Sequence, residues 1–441
     1  MKRPMPKLLL AAIALLVWPL AATADMLTIE VTEGVEGARP IAVVPFGLTG
    51  GLTLDGTGPA EVVSTNLARS GRFTLMDADD MPEHPESGTD IDFQRWRAVG
   101  MDHVVVGRIS DAGNGLRVRF QLYDPYKEEQ VIGYTYRVPR NEVRRLGHRI
   151  SDLVYEAITG RPGAFGTSLA YVRTEDDGSR HVLAVADADG RNEQTILRSR
   201  EPLMSPAWAP DGKRLAYVSF ERGRPQIFLQ TIASGWRDRL GEDNESTSAP
   251  AWAPDGRRLA YVSSRDGGRD IYIIDLERDG EPVRVTSHYG IDTEPAWMPD
   301  GRSLIFTSDR SGQPQLYRVE LDARGTPRGS PRRITFEGRY NASASVSPDG
   351  RHVAMVQGEG GRFRIAVLDL QRGAVEILAD TRNGESPSFA PNGDMLIFAT
   401  ESGRRGVLES VSSDGRARQR LGLDAGNVRE PAWSPFDALT P

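Results

Sequence analysis

Residues 205–212 read SPAWAPDG, and the phrase returns as APAWAPDG at 249–256, EPAWMPDG at 294–301, SASVSPDG at 343–350, SPSFAPNG at 386–393 and, cut short, EPAWSPF at 430–436. Its anchor position, occupied by Trp208, Trp252, Trp297, Val346, Phe389 and Trp433, recurs at spacings of 44, 45, 49, 43 and 44 residues. A period in the low-to-middle forties, filled with strands of about four to eight residues, is the length of a β-propeller blade.

Outward from each anchor the pattern is the same. The Pro-Asp-Gly turn presets φ with proline, suits Asp or Asn next, and gives glycine the position that reverses the chain, so a hairpin follows. The returning strands read LAYV 215–218, LAYV 259–262, LIFT 304–307, VAMV 353–356 and LIFA 396–399. Third strands follow at 226–230, 270–275, 315–321, 364–370 and 407–411, and short fourth strands at 283–286, 332–335 and 375–378. Before the first Trp phrase, LAYV 169–172, HVLAVAD 181–187 and QTIL 194–197 supply strands two to four of a blade with no first strand. The orphan phrase at 430–436 is that strand. Pairing it with the start of the array completes six four-stranded blades and removes an exposed sheet edge.

The recurring residues have two readings each. An aromatic ring at blade spacing could stack a ligand, but Val346 in the same slot favours packing between blades. Asp211, Asp255, Asp300 and Asp349 could form a carboxylate or calcium site, but Asn392 in the same slot keeps turn chemistry and loses the charge, which favours the turn. Catalytic patterns are missing: there is no G-x-S-x-G elbow and no H-E-x-x-H, and His84, His103, His148, His181, His288 and His352 never pair at metal-ligand spacing. With no cysteine, a thiolate metal site and a disulfide are both excluded. No enzyme activity, cofactor or metal is expected.

The chain opens with Lys2, Arg3 and Lys7, an apolar run of 11 residues at 8–18, then Ala22-Thr23-Ala24. This is the pattern of a secretory signal peptide over 1–24 cleaved between Ala24 and Asp25, and the run is short of the roughly 20 residues a membrane span needs. After cleavage the net charge is −10, without a basic tract, which argues against nucleic acid as a partner.

Residues 25–160 follow a different grammar. Strands are expected at 41–46, 73–77 and 103–109, an alternating hairpin at 116–124 and 129–138, and helices at 57–70 and around Phe93, Trp96 and Val99. A closing helix carries Val143, Leu146, Ile150, Leu153, Val154 and Ile158 on one stripe, with Asn141 as its cap and Gly160 as its stop. The Gly/Pro-rich GRPGAFG at 160–166 marks the junction, giving a small α/β domain at 25–160, a linker at 161–167 and the propeller at 168–441. In DMLTIEVTEG, 25–34, Leu27, Ile29 and Val31 alternate with polar residues. That pattern serves an ordinary edge strand or a segment offered to a partner by strand addition.

The order of parts, together with V-x-x-G-x-x-G-x-R-P-I-x-V-V-P-F over residues 31–46, resembles the TolB family, the periplasmic component of the Tol-Pal system of Gram-negative envelopes. The resemblance covers essentially the whole mature chain. It implies a non-enzymatic periplasmic scaffold, monomeric within a multiprotein envelope complex and without a membrane span. Such a scaffold binds the peptidoglycan-associated lipoprotein Pal through the propeller and TolA through the mature N-terminus, in support of outer-membrane invagination at cell division and of envelope integrity. Carried onto this chain, it implies a TolA segment at 25–36 with Asp25, Leu27, Ile29 and Val31 as anchors. It implies a Pal face on loops entering the blades, with Ser246, Ala249, Pro250, Asp292, Thr293, Glu294, Tyr340 and Asn341, and with Glu385 and Glu430 beside them. Relatives can carry histidine where this chain has Ser246. Two other functions meet parts of the pattern: a hydrolase gated by its propeller, which needs a nucleophile elbow, and a carbohydrate-binding propeller, which needs exposed aromatics around the channel mouth.

Overall fold

The computed structural model describes residues 29–31, 37–54, 56–175, 178–278, 280–423 and 426–436. The expected signal segment, Asp25 and Leu27 lie outside them. β1 is Ile29–Val31, and the N-terminal domain then runs β2 Arg39–Val43, β3 Gly47–Leu48, α1 Pro59–Arg69, β4 Phe73–Leu75, α2 Phe93–Ala98, β5 His103–Asp111, β6 Leu116–Asp124, β7 Glu129–Val138 and α3 Val143–Thr159. Its sheet has the order β4-β2-β5-β6-β7 with β3 beside β5, parallel around β2 and antiparallel from β5 onward. α1 and α3 cover one face, burying Val63, Leu67, Leu146, Ile150 and Val154 against Val105, Ile109, Val118 and Phe120. On the other face α2 sets the fully buried Trp96 on Val104 and Val106.

α3 departs from expectation at its start. Asn141 is not its cap: Glu142 holds that position without a side-chain bond, and Arg140–Glu142 forms a 3-10 turn in which the Glu142 N–H reaches Pro139 O at 3.0 Å. The turn satisfies an amide that a capping side chain would otherwise take. Gly160 stops the helix as expected, with φ 72° in the left-handed region.

The remaining strands form six blades. Blade one is Asn427–Trp433 with Ser168–Glu175, Arg180–Asp187 and Gln194–Ser199, so the C-terminal strand closes the ring, with Trp433 opposite Leu169 and Asn427 opposite Thr174. Blades two to six begin with inner strands Leu203–Trp208, Thr247–Trp252, Asp292–Trp297, Tyr340–Val346 and Glu385–Phe389. The anchors pack between blades: Trp208 Nε1 donates to Ala432 O of blade one at 3.1 Å, and Trp297 Nε1 to Ala251 O of blade three at 3.1 Å. The turn aspartates are turn residues. Asp211 Oδ1 accepts the N–H groups of Lys213 and Arg214 at 2.8 and 3.2 Å, Asp255 those of Arg257 and Arg258 at 2.9 and 3.0 Å, and Asn392 keeps the pattern with the N–H of Asp394 at 3.0 Å. Two of these arginines link blades: Arg214 Nε binds Asp211, its guanidinium lies 4.7 Å from the Trp252 ring centre, and Nη2 reaches Gly256 O at 3.2 Å. Arg258 repeats this with Asp255, Trp297 and Gly301.

The N-terminal domain sits where the repeat breaks. In the other four Pro-Asp-Gly turns the residue after glycine is basic, Lys213, Arg257, Arg302 and Arg351; in blade six it is Asp394. Asp394 is buried and accepts Tyr155 Oη at 2.8 Å, Arg72 Nη2 at 3.3 Å and Arg161 Nη1, all from the N-terminal side, while Asn392 exchanges bonds with Arg161 and Pro162. Arg69 extends the contact to Ala188 O at 2.9 Å, and Arg144 pairs with Asp189. Removing this carboxylate leaves the buried Tyr155 hydroxyl without its partner, while Arg72 and Arg161, 39% and 51% exposed, can turn to water, so the cost is about 1–3 kcal/mol. Asp394→Ala should therefore lower the melting temperature by several degrees and open the linker to protease, with the propeller retained by circular dichroism; an undisturbed linker digest would show that Asp394 does not fasten the domains.

Candidate functional site at the open end of the propeller

Antiparallel strands reverse direction at every turn, so within each blade the fourth-to-first and second-to-third connections share one end of the ring. The Pro-Asp-Gly turns share the other end, which the N-terminal domain occupies. Ser246, Asp292, Thr293, Tyr340 and Asn341 thus all lie at the open end.

Their roles differ. Asp292 is fully buried, with both carboxylate oxygens 2.9 Å from Arg310 Nη2. Asn341 is also fully buried, its Nδ2 donating to Gln315 Oε1 at 2.9 Å and Glu337 O at 2.8 Å. Pro250 is buried as well. These three shape the loops and present no surface. Ser246 and Thr293 are half-buried, and Ser246 N donates to Ser264 Oγ at 3.1 Å. Tyr340 packs edge-on against Phe363 with ring centres 5.3 Å apart.

Ala249 and Glu294 belong to a pattern that the repeat hides. Ser205, Ala249, Glu294, Ser343, Ser386 and Glu430 all take φ between 48° and 55°, and every inner strand shifts register around that residue. Six non-glycine left-handed residues at one level of a ring are bulges, held by the surroundings against their strain. Two of them are braced by carboxylates from the preceding blade: Glu294 accepts Ser343 N at 2.8 Å and Ser343 Oγ at 2.9 Å, and Glu430 accepts Ser205 N. Burial raises the pKa of Glu430, Ser205 N–H opposes this, and the charges of Glu385 and Glu294 push it further up. Burial raises Glu385 too. The inner ring is therefore acidic at Glu385 and Glu430, with the Arg429 charge opposing both shifts.

Sequence reading missed the exposed aromatics of this end. Tyr289 is 94% and Phe336 76% exposed, on the connections into blades four and five, with Ile291 44% exposed beside them. The loop under Tyr289 is braced by hydrogen bonds: Ile291 N donates to Asp309 Oδ1 at 2.8 Å, Gly290 N to His288 Nδ1 at 3.0 Å, and a Cβ on Gly290 would meet Asp309 at 2.4 Å. A hollow of about 500 Å³ lies beside Phe336, lined by Ser311, Gln313, Gln315, Arg333, Gly338 and Arg339. The signal was present, since in the six fourth-to-first connections only these two carry Phe or Tyr outside the strands.

β1 makes a second surface. Ile29, Glu30 and Val31 pair antiparallel with Gln419, Arg418 and Ala417, so the segment is a fifth strand on the outer edge of blade six. Among the described residues, one group of three side chains has metal-ligating geometry: His148, Asp187 and Asp189. Arg144 already pairs with Asp189 and Arg69 binds the intervening Ala188 O, so two guanidiniums stand where a cation would; burial, with both arginines, holds His148 below its ordinary pKa and neutral. These residues do not fit a metal. No described helix is long and apolar enough to cross a membrane.

A family model described as the TolB beta propeller domain matches residues 155–437, and one described as the TolB amino-terminal domain matches 27–131. The chain belongs to the TolB family. Among TolB relatives, "Tol-Pal system protein TolB" of Xanthomonas oryzae pv. oryzae (strain PXO99A) and that of Xanthomonas campestris pv. campestris (strain B100) are each 48% identical over 443 aligned positions, covering 99% of both chains. The crystal structure of TolB from Acinetobacter baumannii superposes with a TM-score of 0.82 at 40% identity, over 93% of this chain and 100% of that one. The likeness extends the TolB fold across both domains.

The raised pKa of Glu430 carries a sign. A carboxyl raised in the folded state is penalised at neutral pH, and the penalty disappears as pH falls through the raised value toward 4.5, its ordinary value. Glu430→Gln keeps an acceptor for Ser205 N–H, so it should hold or raise the melting temperature at pH 7, by about 1–2 °C, with the gain closing near pH 4.5. A variant less stable at pH 7 would mean that the ring charge is already neutralised.

Proposed function

We propose that this TolB-family chain is a periplasmic, non-enzymatic scaffold of the Tol-Pal system that grips Pal at the open end of the propeller and offers its mature N-terminus to TolA, in support of outer-membrane invagination at cell division and outer-membrane integrity. The carrying observation is the open end itself: exposed Tyr289 and Phe336 on loops already held by Asp309, Asp292 and Asn341. Rigid aromatic anchors on preorganised loops lose little entropy when a folded domain docks, which is the make-up of an interface hot spot. The curated relatives carry the name Tol-Pal system protein TolB. No G-x-S-x-G elbow or H-E-x-x-H supports the hydrolase reading.

β1 supports the TolA part. Three residues of main-chain pairing give about 2–4 hydrogen bonds at roughly 1 kcal/mol each, against about 1–2 kcal/mol per residue for ordering the backbone. The two nearly balance, so a competing sheet edge can exchange with blade six for the same segment. Deletion of residues 25–36 should abolish capture of TolA by the mature protein; full retention would rule the segment out.

Exposed aromatics at the open end also meet the requirement of a carbohydrate-binding propeller, and one titration separates the readings. Calorimetry of the mature protein with the periplasmic domain of Pal should show Tyr289→Ala with Phe336→Ala weakening binding at least tenfold, at least about 1.4 kcal/mol, with the melting temperature held within about 1 °C. Unchanged affinity, or displacement of Pal by a soluble peptidoglycan sugar, would overturn the Pal assignment.

A further inference from the structure

The second face of the N-terminal sheet is only half covered. α2 and its neighbours bury Val104, Val106 and Tyr123, while the other half displays Arg108 on β5, Arg117 and Arg119 on β6, and Arg137 on β7, all exposed. The register sets them against one another: Arg108 is directly opposite Arg119, and Arg117 directly opposite Arg137. Like charges in directly opposed cross-strand positions destabilise a sheet, and two such pairs here share three adjacent strands of a chain whose net charge is −7. Only Arg108 has a carboxylate, Glu86 Oε2 at 2.8 Å; no salt bridge is made by Arg117, Arg119 or Arg137 among the described residues. The four line one hollow of about 550 Å³ with Ser110 and Thr135. The fold does not require arginine here, because the apolar residues that alternate with these four, Ile109, Leu116, Val118, Phe120 and Val138, point to the opposite, helix-covered face.

From this charge grid we propose that the uncovered sheet face is a docking surface for an extended acidic segment of a partner protein. Guanidinium groups take carboxylates in paired hydrogen bonds, and Glu86 on Arg108 shows that a carboxylate is accommodated in the hollow. Arg117 and Arg119 are two residues apart on one strand, about 6.8 Å, which is the spacing of carboxylates on alternate residues of an extended segment. β7 is the last strand of its sheet and pairs on one side only among the described residues, so a segment can align alongside it with its acidic side chains turned toward Arg137 and Arg117. The surface is distinct from both the open end of the propeller and β1, so the proposal stands or falls apart from the Pal and TolA assignments.

The test uses the mature protein and a fluorescent 12-residue peptide of alternating Glu and Thr, followed by anisotropy. The Glu peptide should bind, more weakly as salt rises, and its Gln counterpart should not. Arg117→Gln with Arg137→Gln should weaken binding at least tenfold while leaving the melting temperature unchanged or higher, since an opposed like-charge pair is gone. The charge-swapped Arg117→Glu, Arg137→Glu protein should instead take a Lys/Thr peptide, which guards against a misfolded variant passing for a lost site. Undiminished peptide binding by the Gln variant overturns the proposal. So does displacement of the peptide by pyrophosphate at equal ionic strength, or binding to phosphatidylglycerol vesicles without binding to the peptide, because either result identifies a phosphate-bearing ligand.

Discussion

Everything in this molecule depends on one strand pairing, that of Asn427–Trp433 with Ser168–Glu175. An open array of blades would leave a row of unpaired N–H and C=O groups at each end, and the pairing of the last strand with the first blade removes both edges at once. It also places Trp433 in its slot, where Nε1 donates to Thr167 Oγ1 at 2.7 Å, and it puts Ala432 O within reach of Trp208 Nε1. The contact from one blade to the next is therefore continuous only because the ring is closed.

A repeating ring has the opposite difficulty in making one place different from the others. The chain solves it by breaking the repeat at blade six, where Asp394 replaces the basic residue that follows the turn glycine elsewhere. That carboxylate gathers Tyr155, Arg72 and Arg161, and with the contacts of Arg69 and Arg144 to Ala188 and Asp189 it seats the N-terminal domain on blades six and one. The same blade receives β1 on its outer strand, and Gly71 at the end of α1 lies so close that a Cβ would meet Ala417 at 2.9 Å. Domain docking and strand addition thus converge on one edge of the propeller, and any partner that takes β1 away acts beside the domain junction.

At the open end the exposed side chains are not the repeated residues. The tryptophans and turn aspartates are spent on packing and turns. The six left-handed bulges set the geometry of the inner ring, and Glu294 and Glu430 brace it from blade to blade. The side chains that face solvent, Tyr289 and Phe336, sit on connections that differ from blade to blade. A rigid, symmetric frame with irregular loops is an arrangement in which specificity can change without disturbing the core.

Much of the fold was legible in the chain alone, because blade strands, Pro-Asp-Gly turns and the Gly160 stop are set by local chemistry: side-chain alternation, the fixed φ of proline and the left-handed freedom of glycine. The orphan EPAWSPF phrase even announced the closure. The site was legible only in outline. Asp292 and Asn341 stand at the start of inner strands beside surface residues, yet burial makes them structural, and the cap expected of Asn141 gave way to a 3-10 turn. Four arginines scattered from 108 to 137 carry no linear motif, and become one surface only when three strands align them. The sequence by itself determined the six blades, the turns and the presence of a separate α/β domain. Tertiary structure decided where that domain sits, which loop residues are exposed and which charges stand together, because these depend on contacts between segments far apart in the chain that no local pattern encodes.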